Sequence, residues 1–226
     1  MEDGNQMINV IYEDNHIIVV EKPVNIPVQA DDSKDLDFLS MIKKYIKDKY
    51  NKPGNVYVGL VHRLDRPVGG IMVFAKTSKA ASRLSEQVRL NKIKKVYHAV
   101  IEGKPLKEGH LEDYLLKDSK TNTTKVNKSG KLSILDYKLI STVENLSLVK
   151  VFLKTGRSHQ IRVQFSSRNL PLYGDQRYNK NAKVGQQIAL YATSLSFEHP
   201  TTKENLTFEL DLPNKYPWNI HNVNNF

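Results

Sequence analysis

A chain of 226 residues with 39% apolar content is long enough to bury a sizeable core, and the absence of cysteine excludes disulfides and thiolate metal sites. With 34 Lys and Arg against 24 Asp and Glu, the formal charge is +10, which points to a polyanionic partner. No run approaches the ~18 apolar residues of a membrane-spanning helix, and Met1-Glu2-Asp3 lacks the basic region and apolar core of a secretion signal, so a cytoplasmic protein is expected.

Residues 8–13 and 16–21 are β-branched runs separated by Asp14-Asn15, a two-residue turn signal, and predict an opening hairpin. Lys22-Pro23 ends the second strand, and Asn25 is suited to a left-handed turn. From Ser33 the period becomes helical, with Leu39, Ile42 and Ile46 on one stripe, Ser33 or Asp35 as the cap, and Pro53-Gly54 beyond the end. A second helix is expected from a cap at Ser78 to about Leu90. Residues 96–101 alternate as a strand, with Tyr97 on the face of Ala99 and Ile101.

The most polar part follows, from Lys104 to Lys131, and reads as an exposed loop or hairpin tip. Residues 89–138 hold 12 basic and 6 acidic side chains, so this region supplies +6 of the net charge. Two more strands are predicted at 133–140 and 146–153. Ser158 has the look of an N-cap to a short helix whose core side is Ile161 and Phe165, with His159, Arg162 and Ser166 on another face. Gly174-Asp175 shapes a turn, and 188–197 with 206–212 form a hairpin across 199–204. No repeat or linker divides the chain, so one α+β domain is expected over 1–226, with its core at 8–213 and a flexible tail at 219–226.

One stretch concentrates chemistry: Val61-His62-Arg63-Leu64-Asp65-Arg66-Pro67-Val68-Gly69-Gly70, running directly into the apolar Ile71 to Ala75. The Gly pair permits a positive φ or a close approach, and Pro67 stiffens the turn before it. An Arg-x-Asp in a loop is ordinarily a solvated ion pair, so the stretch alone assigns no function.

It resembles, however, the His-Arg-Leu-Asp signature of the RluA-type RNA pseudouridine synthases. Val19-Val20-Glu21-Lys22-Pro23, Lys95-Val96-Tyr97-His98-Ala99, and Thr155-Gly156-Arg157-Ser158-His159-Gln160-Ile161-Arg162-Val163 with Gly174-Asp175-x-x-Tyr178 are similar to further motifs, in the family's order. The matches extend from about Ile8 to about Leu212. Two positions depart from the pattern: Asn25 stands where Gly is frequent and Gln164 where His is common.

The resemblance implies the pseudouridine synthase fold, a central mixed, largely antiparallel sheet with flanking helices and a catalytic cleft. It implies isomerisation of uridine in ribosomal or transfer RNA, with the nucleotide flipped out of its stack. Asp65 would be the catalytic carboxylate, as nucleophile or general base at the ribose. Tyr97 would stack on the uracil, and Arg162 would pair with the catalytic Asp. Arg63 would enter the space vacated by the base, with His62, Lys22 and Leu190 bordering the substrate. Lys125, Lys128 and Lys131 are candidates for RNA-backbone contact. Neither metal nor organic cofactor is implied, and a monomer is the default. Because strands begin within about ten residues of Met1, no N-terminal RNA-binding module is expected.

Two other classes compete. A non-catalytic RNA-binding protein would need no carboxylate facing a polyanion. A metal-dependent nuclease would draw on His62, Asp65, His159 and Asp175, but the chain lacks a compact ligand pair of the His-x-His or Asp-x-Asp kind.

If the basic region contacts phosphates, RNA affinity falls steeply with salt, and replacing Lys125, Lys128 and Lys131 together by Gln should make the log–log slope shallower by about 2. Filter binding between low and moderate salt measures this; an unchanged slope would make the region a solvated surface.

Overall fold

The computed structural model describes residues 8–31, 33 and 35–222. The described chain divides into two compact units, one of Met1–Ile93 with Ser196–Phe208 and one of Lys94–Leu195 with Glu209–Phe226. Among the described residues there are eleven strands, three α-helices and one 3-10 turn, an α+β composition as expected.

In the first unit, β1 (Asn9–Glu13) and β2 (Ile17–Lys22) form the opening hairpin. Its turn is closed by Asp14, whose carboxylate accepts from His16 N–H at 2.7 Å and Ile17 N–H at 2.8 Å. Ile17 to Val20 are fully buried, because β2 is covered on both faces. Its partner is β4 (Gly69–Ala75), antiparallel from Ile17 opposite Ala75 to Lys22 opposite Gly70. The two glycines therefore open the strand rather than form the turn before it; Gly70 takes the positive φ, at 124°. On the other edge of β4 lies the two-residue β3 (Gly59–Leu60).

Helix α1 (Phe38–Lys49) starts later than the sequence pattern suggested, capped by Asp37 rather than Ser33 or Asp35, with Ser40 N–H donating to the Asp37 carboxylate at 3.0 Å. Helix α2 (Ser78–Arg89) is likewise capped one residue earlier than expected, by Thr77. Glu13 ties α1 to the sheet: it accepts from Lys76 at 2.6 Å, Lys49 at 2.7 Å, the Tyr50 hydroxyl at 2.9 Å and the Tyr45 hydroxyl at 3.2 Å.

The second unit is built on antiparallel strands in the order β5, β9, β8, β6, β7: β5 (Lys94–Glu102), β6 (Glu108–Asp118), β7 (Thr123–Val126), β8 (Lys131–Val143) and β9 (Leu146–Leu153). Of the two readings of this region, exposed loop or hairpin tip, the second holds: it is largely paired backbone, with β7 at the edge and β6 between it and β8. Helix α3 (Gln160–Ser166) buries Ile161 and Phe165 as expected, but His159, in the left-handed region at φ 52°, precedes it in place of a Ser158 cap. Strand β10 (Leu190–Glu198) begins in this unit and ends in the first, where its last residues turn through His199 N–H to Glu204 O at 2.7 Å into β11 (Asn205–Glu209). The expected flexible tail differs in its first residues: Asn219–His221 is a 3-10 turn, with His221 buried and bonded to the Ser141 hydroxyl at 2.8 Å. Residues 223–226 lie outside the described chain.

Burial raises the Glu13 carboxyl, but hydrogen bonds from Lys49, Lys76 and Tyr50 and the Lys76 charge outweigh it and hold the group at about 2, below its ordinary 4.5. A depressed folded value stabilises above pH 4.5 and is lost as pH falls toward 2. Glu13→Gln should therefore cost about 2–4 kcal/mol at neutral pH. In urea titrations that cost should shrink between pH 4.5 and 2, and a pH-independent cost would contradict the assignment.

Candidate active site

The loop carrying Asp65 is fixed from two sides. Where β3 stops, the ladder of β4 lacks a backbone acceptor, and the His62 ring supplies one: Nε2 accepts from Val73 N–H at 3.1 Å. A ring that accepts at Nε2 carries its proton on Nδ1. Leu64 is buried at 6% exposure, and the turn is closed by Val68 N–H donating to Asp65 O at 2.9 Å, leaving Asp65 half-buried and Arg63 exposed.

Beneath the turn lies Lys22. It is fully buried, and its ammonium donates to the carbonyls of Pro23 at 2.8 Å and Arg66 at 3.1 Å. Burial pushes the group down to about 7; the Asp65 charge opposes this and the Arg66 charge adds to it. Arg66 itself turns away, to Asp35, to Asp31 at 3.7 Å, to the Ser33 hydroxyl at 3.1 Å and to the carbonyl of Asn25 at 3.3 Å. Asn25 adopts the left-handed conformation expected of it, at φ 64°.

Lys22 and His62, read as bordering the substrate, have 0% and 8% exposure, and their nitrogens engage backbone. Both support the Asp65 turn.

In the second unit, Tyr97 stands on β5 opposite Val151 and is 7% exposed. Its neighbour His98 is buried, with Nδ1 2.7 Å from the Thr193 hydroxyl, and burial, then the Lys150 charge, push it to about 4, so it is neutral at physiological pH. Leu190 is buried at the start of β10. Lys125, Lys128 and Lys131 are all exposed, on β7, in the following turn and at the start of β8.

Arg162 is only 5% exposed, and its fork is met by Asp175: Nε donates to Oδ2 at 2.8 Å and Nη2 to Oδ1 at 2.7 Å. The Tyr178 ring lies over the same guanidinium at 5.1 Å. The helix face of His159, Arg162 and Ser166, expected to look into a cleft, packs on this segment: His159 Nδ1 is 2.6 Å from the Tyr178 hydroxyl, and Ser166 donates to Tyr178 O at 2.8 Å. Sequence reasoning took Asp175 for a turn residue and gave Tyr178 no role. Their spacing after Gly174, downstream of an Arg on a helix, was the available signal. Gln164, the departure from the family pattern, is buried and donates to Asp113 at 2.8 Å and to the carbonyls of Leu111 and Ser133, which fastens α3 to β6 and β8. Among the described residues no group of three or more His, Asp and Glu is placed to hold a metal ion, and no helix is long and apolar enough to cross a membrane.

Residues 16–167 match the family model described as RNA pseudouridylate synthase. The chain is 31% identical over 221 residues to the ribosomal large subunit pseudouridine synthase D of Zymomonas mobilis, covering 91% of this chain and 69% of that protein. It is 32% identical over 211 residues to the uncharacterized RNA pseudouridine synthase YhcT of Bacillus subtilis, with the same two coverages. Among solved structures, human RNA pseudouridylate synthase domain containing 4 superposes with a TM-score of 0.77 at 20% identity, over 94% of this chain and 90% of that one. That likeness shows the fold.

Lys22 titrates lower folded than unfolded, so between about 7 and its ordinary 10.5 the unfolded chain holds a proton that the folded chain lacks, and stability rises with pH across that window. Lys22→Met removes the titration. The unfolding constant of the wild type relative to Lys22→Met should fall by up to about tenfold per pH unit above 7 and stay flat below. Parallel denaturant melts at pH 6 to 10 measure it; curves that stay parallel would mean Lys22 titrates normally.

Proposed function

The chain belongs to the RNA pseudouridylate synthase family, of the RluA type, and isomerises uridine in RNA to pseudouridine; within that activity we propose that Asp65 is the catalytic carboxylate, with Tyr97, Arg162 and Arg63 as its partners in the reaction.

The reaction breaks the bond between uracil N1 and ribose C1′, turns the base, and joins C5 to C1′. N1 gains a proton and C5 loses one, so no external reactant is consumed. The target nucleotide must first leave its stack, at a cost of a few kcal/mol. The observation that carries the reading is the turn: Asp65 is half-buried on a loop whose backbone is pinned by His62 on Val73 N–H and by Lys22 on Arg66 O. Catalysis needs a group held in place before substrate arrives. In this reading Asp65 acts at the ribose, as nucleophile or as general base. Tyr97 stacks on the displaced uracil, Arg162 supplies fixed positive charge, and the exposed Arg63 enters the stack where the base had been. Lys125, Lys128 and Lys131 hold phosphates.

We place the target in ribosomal RNA of the large subunit, as the names of several relatives state of them, and the activity in the cytoplasm. We read 1–226 as one catalytic domain, with β10 continuous from one unit into the other.

Asp65→Asn keeps size and removes the charge. Binding comes largely from phosphate contacts and stacking, so affinity should hold or rise slightly. Turnover should fall by several orders of magnitude. Release of tritium from C5 of uridine follows the reaction, on the RNA fragment that loses its pseudouridine when the gene is deleted. Near-normal turnover would remove Asp65 from the catalytic role, and loss of binding in a folded variant would make its role structural.

A further inference from the structure

The basic hairpin and Arg162 are joined by a short strap of chain, residues 175–178. At one end the strap grips α3. Asp175 takes both arms of the Arg162 fork, at 2.8 and 2.7 Å, and the same carboxylate accepts from Arg177 N–H at 3.1 Å. Ser166 fixes the Tyr178 carbonyl at 2.8 Å. At the other end the strap grips the hairpin. The Tyr178 hydroxyl accepts from Thr124 N–H, in the middle of β7, at 2.8 Å, and Arg177 donates to the carbonyls of Asn122 and of Thr121 in the turn between β6 and β7.

Tyr178 has a part in both grips. Its ring lies on the Arg162 guanidinium, and its hydroxyl, while accepting from Thr124, is 2.6 Å from His159 Nδ1. With His159 as the Nε2–H tautomer, the hydroxyl proton goes to that ring, completing a relay from Thr124 N–H through Tyr178 to His159. His159 is held in the left-handed region at φ 52°, a conformation costly for a residue with a Cβ, at the first residue of the α3 turn that bears Arg162. Burial, against the opposing effects of Thr124, Arg162 and Arg177, raises the Tyr178 hydroxyl above its usual range and keeps it protonated.

The hairpin lies at the edge of its sheet. β7 has four residues, pairs only with β6 in the strand order and carries the exposed Lys125, with Lys117 and Lys120 on the approach and Lys128 and Lys131 after it. Phosphates bound there would act on an edge strand, and the strap connects that edge to the guanidinium.

We propose that Tyr178 is a positioning residue that couples RNA phosphate binding on the β6–β7 hairpin to the placement of Arg162. The inference rests on the reading of Arg162 as a catalytic group and of the hairpin lysines as phosphate contacts. It goes further in requiring that the lysines speed the chemical step as well as strengthen binding.

The experiment is a double-mutant cycle in single-turnover tritium release, with enzyme in excess over the RNA fragment and affinity measured separately. Tyr178→Phe deletes the hydroxyl and keeps the ring; it should slow the saturated rate about three- to tenfold, the loss expected of one ordinary hydrogen bond, with Kd unchanged. Replacing Lys125, Lys128 and Lys131 by Gln should raise Kd and also slow the saturated rate. Combined with Tyr178→Phe, the same triple change should raise Kd as before and slow the rate no further. Arg177→Gln, at an exposed position, breaks the other grip and should also slow the rate without changing Kd, which protects the test if Tyr178→Phe folds poorly. Rate effects that multiply independently, or a Tyr178→Phe and an Arg177→Gln that both turn over at the wild-type rate, would overturn the coupling. Arg162→Lys separates this from the underlying reading: wild-type turnover in Arg162→Lys would refute the catalytic assignment of Arg162, whereas a dead Arg162→Lys beside an additive cycle would refute the coupling alone.

Discussion

The second unit is arranged about a buried ion pair. Arg162 and Asp175 are almost entirely removed from water, and two charges there cost several kcal/mol each unless they meet in good geometry with their remaining hydrogen-bonding capacity used. The planar fork on the carboxylate meets the first condition. The backbone N–H groups of Arg177 and Tyr178, both on the same Asp175 oxygen, help meet the second. Aiming that carboxylate requires the chain to reverse sharply just before it, and Gly174 does so at φ 71°, with a Cβ there only 2.3 Å from the Gln187 carbonyl. Glycine, carboxylate, guanidinium and the aromatic lid of Tyr178 are therefore one device, and loss of either charge would leave the other buried without its counterpart.

The first unit solves a related problem with backbone acceptors. A lysine with no exposure is tolerated because two carbonyls receive its ammonium and because, with the group pushed to about 7, much of the population can shed the charge near neutrality. The same lysine feels the Asp65 charge, so the support of the loop and the electrostatics of its carboxylate are not separable. His62 answers a different need: a strand that stops after two residues leaves a neighbouring N–H without a ladder partner, and a buried N–H must find one.

What could be read from the sequence was local. The Asp14-Asn15 hairpin, both amphipathic helices and the left-handed Asn25 follow from turn chemistry and periodicity over a few residues, and they stand in the structure as expected. The helix caps slipped by one to four residues because several polar candidates sit close together and only packing chooses among them. The polar stretch before Lys131 hid β7, since its Thr, Lys and Val are held by pairing with β6 and by Tyr178, neither of which leaves a hydrophobic signature. The role of Asp175 showed in the sequence only as its spacing after Gly174, and the burial of Lys22 not at all, because both depend on partners distant in sequence and lysine is almost never fully buried. Family motifs marked the positions and left the physical roles open.

The stretch around Asp65 places an arginine on either side of the carboxylate, two residues before it and immediately after, and in sequence the two look alike. Folding separates them. Arg66 spends its donors on Asp31, Asp35, Ser33 and the Asn25 carbonyl, and with its own carbonyl on Lys22 it becomes part of the frame. Arg63 is exposed and has no ion-pair partner among the described residues. In a chain of net charge +10, folding thus leaves one guanidinium neutralised by the protein's own acids and one exposed to solvent. The proposal that Arg63 meets the substrate comes from the family resemblance, and the difference in partners between the two arginines supports it.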